Sequence, residues 1–417
     1  MVTALELPAV LIIAPVLLFP TPARLAVLAV VPVIWWCAWL ADGRAIPRTP
    51  MNAALWLMLV MVGVSLFVTF DVRLSLGKVS GVVLGALLFW SIARWVRSSE
   101  RLAIAAAAFV LAGAGLAIIG LLGVNWDNKF PMIGAITAQL PKAIRGVPGA
   151  EVGFSSNAVA GCLVLFIPIQ FALLATDGRR WLSPIVRLRE VGWWPVAVQV
   201  ALLILTAGTL VLTESRSAWL GMVIATAAFF LWYSRWTRLL AGCAATAMGL
   251  VTAAVGVQRV YDFVVSRSGP ALVSTFTLRL DIWSRAIKGI GDFPLTGMGM
   301  NTFRKLMPIL YPGYPYLPGE EVPHSHNHLL QAALDLGVPG LVAYVALWIV
   351  AAALLVRVYR LSGARVYRAM AGGLAAGLIA HFAFSLTDVI PLGAKVGVLF
   401  WLTLALIVSL HRIAVPE

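Results

Sequence analysis

The sequence of 417 residues has few charged residues and few acidic ones. Charged side chains make up 12% of the chain and hydrophobic residues 61%, whereas ordinary soluble domains are about 25% charged and 45–50% apolar. With a mean hydropathy of +0.95, this composition excludes a soluble globular enzyme, a disordered chain and a water-soluble nucleic-acid binder. In a membrane protein, a net charge of +14 indicates basic loops that set the orientation of the spans and contact anionic lipid, rather than a nucleic-acid partner.

Cysteine is also scarce. Cys37, Cys162 and Cys243 each lie in an apolar run and form no CxxC pair, which leaves zinc ribbons, iron–sulfur clusters and a disulfide framework without support. The start of the chain, MVTALEL, lacks a basic region and carries Glu6, so no cleaved signal peptide is expected. The sequence shows no P-loop, no GxGxxG and no evident internal repeat, so neither a nucleotide-binding domain nor an inverted-repeat transporter is suggested.

Long apolar runs fill the chain instead, and none shows the alternation of a β-barrel. A bilayer core needs roughly 20 apolar residues per helix, which predicts an all-α polytopic membrane protein with about twelve spans. They lie near residues 4–20, 25–41, 52–70, 74–93, 102–123, 157–175, 193–213, 217–234, 239–257, 338–356, 369–387 and 392–410. The predicted organisation is nine spans with an outer loop (124–156) in 1–257, a large extracytoplasmic loop in 258–337, and three spans in 338–417.

The basic residues predict the orientation of these spans. With the N-terminus in the cytoplasm, the short inside loops hold 16 of the 31 Lys and Arg residues, as the positive-inside rule requires. These inside segments are 42–51, 94–101, 176–192, 235–238, 357–368 and the tail from 411. Both termini are then cytoplasmic, and the polar clusters face the extracytoplasmic side.

The segment 320–341 carries three histidines at i, i+2 and i+4: His324, His326 and His328. Asn327 is a predicted N-cap of a short helix that Gly337 ends, with Pro339 opening the next span. A neutral imidazole at such a helix start can take a proton from a hydroxyl near neutral pH. Two alternatives are a zinc site completed by Glu320 or Glu321, and a solvated polar loop.

Basic side chains on the same predicted face suit phosphate, because guanidinium groups form bidentate hydrogen bonds with it. Arg279 and Arg285 are six residues apart, about 240° around an ideal helix, so they cannot both face one ligand squarely. Arg216 could instead extend its side chain to the lipid head groups. The segment 275–303 could instead be an amphipathic helix that lies on anionic lipid. Lys78 lies near the outer end of a span, Asp388 follows another, and no DxD-like carboxylate pair appears in the outer loops.

Five motifs, in this order, resemble the O-antigen ligase and O-antigen polymerase superfamily. They are FSSNAVAG (154–161), SRSAWLG (215–221), RLDIWSRAIKGIGDFPLTGMGMNTF (279–303), HSHNHLLQAALDLGVPGL (324–341) and HFAFSLTD (381–388). The resemblance implies a metal-independent, GT-C-like, inverting membrane glycosyltransferase without a cofactor. Its donor would be a glycan on undecaprenyl diphosphate, and its acceptor a hydroxyl of the lipid A–core glycan.

The same resemblance implies roles for single residues. His326 maps onto the family histidine and would be the base, with His324 and His328 as neighbours that orient it. Arg216, Arg279 and Arg285 would hold the diphosphate, and Asp388 would orient an arginine or the histidine. Asn327 and Lys78 complete the candidate substrate-binding residues.

The superfamily motifs do not separate its members. A polymerase would use a second lipid-linked repeat as acceptor, and a protein O-oligosaccharyltransferase a Ser or Thr. The long loop before the tenth predicted span and the lack of a soluble domain after the last span favour the ligase. A polytopic transporter is the alternative from another class, and nothing in the sequence requires a dimer.

Overall fold

The computed structural model describes residues 5–415, except 127–128, 147–150, 177–179, 186–191, 314–320 and most of 234–269. The described part is almost entirely helical. Its helices are α1 (Glu6–Leu18), α2 (Val30–Asp42), α3 (Asn52–Val68), α4 (Val72–Trp95), α5 (Ser99–Gly123), α6 (Pro131–Thr137), α7 (Ser156–Ala175), α8 (Trp194–Leu212), α9 (Arg216–Tyr233), α10 (Pro270–Asp292), α11 (Phe303–Leu310), α12 (His328–Leu361), α13 (Arg365–Ser385) and α14 (Val398–Ala414). Short 3-10 helices cover Arg24–Ala29, Arg180–Leu182 and Lys395–Gly397, and β1 (Val124–Asn125) pairs in parallel with β2 (Phe154–Ser155).

Eight helical segments are long and apolar enough to cross a membrane, which makes the chain a polytopic membrane protein. They comprise α4, α5, α7, α8, α12 and α13, together with α2 and α14 and the 3-10 turns before them. The shorter apolar helices α1, α3 and α9 coincide with three further predicted spans. The predicted span 239–257 falls mostly outside the described residues, so the number twelve stays a prediction.

Several helices begin where short polar side chains can cap them. The Asp71 carboxylate accepts the N–H groups of Arg73 and Leu74 at the start of α4, and the Ser98 hydroxyl accepts from Arg101 at the start of α5. Such caps satisfy backbone donors that a helix leaves unpaired at its first turn. These two helices therefore begin at positions that the local sequence dictates.

The helix α12 begins at the predicted N-cap, and it continues through a kink at Gly337, where a short helix was predicted to end. The Asn327 side chain accepts hydrogen bonds from the N–H groups of Leu329 and Leu330 and so caps the helix. The backbone at Gly337 leaves the helical conformation, with φ 69° and ψ 179°. The short first part of α12 is thus set off from the apolar part that crosses the membrane.

The core is one large apolar cluster that joins most of the described helices. α13 packs between α7 and α9, α12 against α3, and α14 against α4. Glycines permit close approaches between these helices, because a Cβ at Gly377 would lie 2.7 Å from the backbone oxygen of Leu165 and one at Gly221 would lie 2.4 Å from that of Ala380. A separate cluster of Ile282, Phe303 and Leu334 holds α10 and α11 on the start of α12. This second cluster fixes the large loop over one end of the helix bundle.

The helix α4 connects the two ends of the bundle. Its 24 residues extend about 36 Å at 1.5 Å per residue, enough to cross a bilayer core. Lys78 lies in its second turn and Arg94 in its last. The two residues mark opposite faces of the protein, and each face carries its own cluster of polar side chains.

Candidate active site

The loop before α12 holds His326 in an unusual backbone conformation, with φ +53°. A left-handed φ at a residue other than glycine costs about 1–3 kcal/mol and persists only where the surroundings fix it. Here two helices do so through Ser325. The Gln331 side chain in α12 accepts from its N–H at 2.8 Å, and the Trp283 indole in α10 donates to its carbonyl at 2.9 Å. The histidine side chain is thereby positioned by its backbone.

A second loop, after α13, brings a carboxylate to this histidine. Asp388 is buried, and its Oδ1 accepts from the N–H of Val389 at 2.8 Å. The same oxygen lies 3.3 Å from Nδ1 of His326 and 3.9 Å from Nε2 of His324. The side chain of Asn327 donates to the Leu386 carbonyl at 3.1 Å and ties the two loops together. We refer to His324, His326 and Asp388 as the His–Asp cluster.

The hydrogen bonds of the cluster determine which ring nitrogen of His326 is basic. An ionised carboxylate only accepts hydrogen bonds, so Nδ1 of His326 carries the proton that bonds Asp388. The lone pair of a neutral His326 ring is then on Nε2. The side chain is about one quarter exposed, so this nitrogen suits proton transfer with a bound molecule.

The charge states of the two partners follow from their surroundings. Burial, helped by the positive charges of Lys78 and Arg279 and by His326, lowers the pKa of His324 to about 3 although Asp388 opposes this. Burial by itself would raise the pKa of Asp388. The hydrogen bond from His326, the charge interactions with the two histidines and the hydrogen bond from the Val389 N–H outweigh burial and bring the pKa below its usual value. At neutral pH the cluster therefore pairs a neutral His324 with an ionised Asp388.

The three side chains of the cluster could also hold a metal ion, since one ligand atom from each lies within 4.8 Å of the others. The hydrogen bonds oppose this use. Nδ1 of His324 accepts from the N–H of His326 at 3.3 Å, which leaves the proton on Nε2, the nitrogen that faces Asp388. A metal at Nε2 would displace that proton and break the bond at Nδ1. Glu321, a predicted further ligand, instead pairs with Arg304 and Lys305, and Glu320 lies outside the described residues.

Two cations adjoin the cluster. Arg279 on α10 is close enough to Asp388 for their charges to attract; burial lowers the pKa of Arg279 and the carboxylate partly opposes that change. The positive charge of Lys78 on α4 contributes to the lowered pKa of His324, and it also interacts with the buried carboxylate of Asp335 in α12. Among the described residues no donor bonds the buried Oδ2 of Asp388. The site thus combines a base with positive charge on neighbouring helices.

Arg216 begins α9 beside the loop that carries Asp388. The Thr387 hydroxyl donates to the hydroxyl of Ser217 at 2.9 Å, which ties the start of α9 to that loop. The Arg216 side chain is exposed, and its guanidinium lies 5.9 Å from the centre of the Phe130 ring. A cation at this distance is attracted to the face of an aromatic ring.

Glu214 and Phe130 are contributors that sequence reasoning missed. Glu214 is fully buried at φ +51°, and its carboxylate accepts from the backbone N–H groups of Lys129 and Phe130. It thereby places the Phe130 ring next to Arg216. Glu214 could have been recognised from the sequence, because a carboxylate directly before an apolar span is unusual. Phe130 could not, because it is distant in sequence from Arg216 and lies in no motif.

Comparison with known proteins finds a match over part of the chain. Residues 201–345 match the O-antigen ligase family model, Wzy_C. The predicted resemblance is confirmed over these residues, and the family of the matched model comprises ligases and polymerases that transfer lipid-linked glycans. The matched range includes Arg216, Arg279 and the three histidines of the loop, while Lys78 and Asp388 lie outside it. No protein of curated function matches the chain in sequence.

Within the residues that match the family model, Arg285 is placed differently from the prediction. Its guanidinium pairs with the Asp281 carboxylate at 2.7 Å and donates to the Gly313 carbonyl at 3.1 Å, next to Met307 of α11. Arg285 is buried and serves to hold α10 to the chain around α11. The spacing of six residues already indicates that the side chains of Arg285 and Arg279 point away from each other around the helix.

His328 is also engaged elsewhere. It is buried, and its Nδ1 lies 2.9 Å from the hydroxyl of Tyr344. The rings of Tyr344, Trp348 and Phe382 surround its imidazole edge to face. His328 therefore packs within the helix bundle, while His324 makes the direct contact with His326 that was predicted for both neighbours.

Proposed function

We propose that this protein is a metal-independent glycosyltransferase that moves a glycan from undecaprenyl diphosphate to a hydroxyl of the lipid A–core acceptor. The contact of His326 Nδ1 with Asp388 Oδ1 carries the proposal. It fixes the proton of the ring on Nδ1 and leaves Nε2 as the base. The match of residues 201–345 to the O-antigen ligase family supports the reaction class.

In the proposed reaction the acceptor oxygen attacks the anomeric carbon of the donor sugar. A glycosidic bond forms as the bond from that carbon to the diphosphate oxygen breaks, and the hydroxyl proton moves to Nε2 of His326. Attack opposite the leaving group inverts the anomeric carbon. Asp388 stabilises the imidazolium that forms, as a carboxylate behind a catalytic histidine does in other enzymes.

The leaving diphosphate gains negative charge, and cations near the cluster would stabilise it. Arg279 and Lys78 act electrostatically on the cluster, and Arg216 starts the helix that is tied to the Asp388 loop. We assign these three side chains to the diphosphate. Arg285 is assigned to holding the loop, because Asp281 and Gly313 already bind its guanidinium.

The proposed location is the bacterial inner membrane, with both termini cytoplasmic and the His–Asp cluster on the periplasmic side. The donor and the acceptor are both lipid-anchored there, which confines them to the same membrane surface and supplies proximity. The proposed reaction assigns roles to residues of a single chain and does not require a dimer.

The test is transfer in vitro by the purified full-length protein. The donor is undecaprenyl diphosphate–linked glycan, the acceptor is lipid A–core, and EDTA is present throughout. The expected product is glycan on lipid A–core, lost in His326→Ala and retained in His411→Ala, which removes a histidine at the opposite end of the bundle. Loss in both variants, or dependence on a divalent metal, would contradict the proposal.

The same assay separates the alternatives. Long glycan that stays on undecaprenyl and forms without acceptor would make the protein a polymerase. Transfer to a peptide Ser or Thr would make it a protein O-oligosaccharyltransferase. The protein would be a transporter if it moved the donor across a vesicle membrane without glycan transfer, and if His326→Ala did not change that movement.

A further inference from the structure

A cavity of about 860 Å³ opens at the end of the bundle opposite the His–Asp cluster. It lies where α4 ends and α5 begins, and the α2–α3 connection, the start of α13 and the end of α14 complete it. Its charged lining residues are five arginines and one acid: Arg44, Arg48, Arg94, Arg97, Arg412 and Asp42. We call it the arginine cavity. The reaction proposed above uses none of its residues.

Only part of this positive charge is neutralised within the protein. The buried Arg94 pairs with Glu6 at 2.6 Å and with Asp42 at 3.3 Å. Asp42 is shared with Arg97, which is 58% exposed. Arg412 donates to the carbonyls of Ala93 and Val96 and repels the nearby Arg97.

Arg44 and Arg48 are exposed, and among the described residues no carboxylate pairs with either of them or with Arg412. Two acids, Glu6 and Asp42, thus face five guanidinium groups. The remaining excess of about three positive charges suits an anion of more than one charge.

Two helices begin at this cavity. Ser98 and Ser99, which line the cavity, cap and begin the 25-residue α5. Tyr367, also in the lining, belongs to the first turn of α13. The free N–H groups and the positive dipole end of a helix N-terminus favour a phosphate. Arginines, hydroxyls and helix starts together form a binding site for phosphate oxygens.

The surface next to the cavity points to a lipid as the source of the phosphate. α2, whose last residue Asp42 lines the cavity, exposes Trp36, Trp39 and Leu40. Tryptophans at the end of a span mark the interface between head groups and acyl chains. A molecule with a phosphate group and acyl chains matches both surfaces, whereas a free phosphate would match only the cavity. We propose that the arginine cavity binds the phosphate headgroup of an anionic phospholipid in the leaflet opposite the His–Asp cluster.

The test is lipid binding by the full-length protein in a neutral detergent, measured by native mass spectrometry. Phosphatidylglycerol and phosphatidylcholine are titrated separately, and bound lipid is counted at each concentration. The test variant is Arg44→Gln/Arg48→Gln. The matched control is Arg357→Gln/Arg360→Gln, which removes two exposed arginines at the same end of the bundle but outside the cavity.

We expect phosphatidylglycerol to bind at least about tenfold more tightly than phosphatidylcholine, since each basic residue near an anionic surface contributes to the attraction. The test variant should lose that preference, and the control should change it less than about twofold. Equal binding of the two lipids, or equal loss in both variants, overturns the proposal.

A third arm distinguishes the source of the phosphate. Inorganic phosphate is added at millimolar concentration to the protein with bound phosphatidylglycerol. Retention of the lipid supports the lipid assignment, and its displacement assigns the cavity to a soluble anion instead. Wild type and both variants are expected to have the same melting temperature in the detergent without lipid, because Arg44 and Arg48 are exposed and form no ion pair among the described residues.

Discussion

The carboxylate of Asp388 determines what the ring of His326 can do. In Asp388→Asn the side chain keeps its size, and its amide oxygen can still accept from the N–H of Val389 and from Nδ1 of His326. The neutral amide, however, no longer stabilises the imidazolium that forms on His326 during the proposed transfer. We expect kcat to fall at least about a hundredfold, within the range for loss of general-base function, with little change in KM for the donor. Steady-state kinetics of glycan transfer measures both constants.

A carboxylate in the loop before α12 serves as the control for this variant. Glu321 pairs with Arg304 at the surface, so Glu321→Gln should leave kcat within about threefold. A similar fall in both variants would show that the loss comes from charge in general and not from the contact with His326.

His324 predicts how stability depends on pH. Its pKa in the folded protein is about 3 against an ordinary 6.5. Between these values the unfolded chain binds a proton that the folded protein does not, so stability falls as the pH decreases through this window, by up to about 1.4 kcal/mol per pH unit. The pKa of Asp388 lies below 3.8, so Asp388 stays ionised in most of the window.

His324→Gln removes this proton-binding difference. The melting temperature of the purified protein is measured at pH 7.5 and at pH 4.5. The decrease between the two should be smaller in the variant than in the wild type. An equal decrease in both proteins would refute the assigned pKa.

At the scale of residues, sequence reasoning located side chains but not their partners. His326 and Arg216 are recognisable because each lies in a short polar motif beside an apolar run. The roles of Arg285 and His328 were not predictable, since they depend on which face of a helix meets α11 or the aromatic side chains of α12 and α13. That information resides in the tertiary packing.

The kink in α12 is a feature of an element rather than of a side chain. At Gly337 a Cβ would lie 2.5 Å from the carbonyl oxygen of Leu295, and its φ and ψ lie in a region that essentially only glycine adopts. Gly337→Ala should therefore destabilise the protein by about 2 kcal/mol or more. A lower melting temperature in detergent, together with reduced transfer, is the expected result.

A second glycine isolates the effect of the kink. A Cβ at Gly372, within α13, would meet nothing within 4 Å. Gly372→Ala should leave the melting temperature unchanged or raise it, since alanine is favoured by about 0.5–1 kcal/mol in a helix interior. If both variants melt alike, the backbone at position 337 carries no strain for alanine.

The start and the kink of α12 were predictable because Asn327 and Gly337 act on backbone groups within a few residues. The loop contacts that hold Ser325 were not, because Trp283 lies far away in sequence. Local chemistry thus determines where an element begins, while long-range contacts determine how the loop before it is held.

The predicted orientation concerns the whole molecule, and cysteine labelling tests it. Val152 in the predicted outer loop and Arg360 in a predicted inside loop are both exposed. In a cysteine-free background, Val152→Cys should react with a membrane-impermeant maleimide on spheroplasts. Arg360→Cys should react only after permeabilisation. The reverse pattern would place the His–Asp cluster in the cytoplasm.

Hydropathy predicted the helical membrane class, and eleven of the twelve predicted apolar segments are helices among the described residues. The order of helices in space was not predictable, because apolar faces of similar composition pack in many arrangements. The contact of α13 with α7 depends on glycines such as Gly373 and Gly377, which a hydropathy profile does not register.

The order in which the chain is synthesised gives the position of Asp388 a further consequence. A ribosome delivers Lys78, Arg216 and His326 to the membrane before Asp388, whose loop follows the penultimate described helix. A nascent chain at that stage has the cations and the histidine but no carboxylate to fix the ring. The proposed reaction therefore becomes possible only after the loop that follows α13 has been synthesised, and a protein terminated before this loop is expected to be inactive in the membrane.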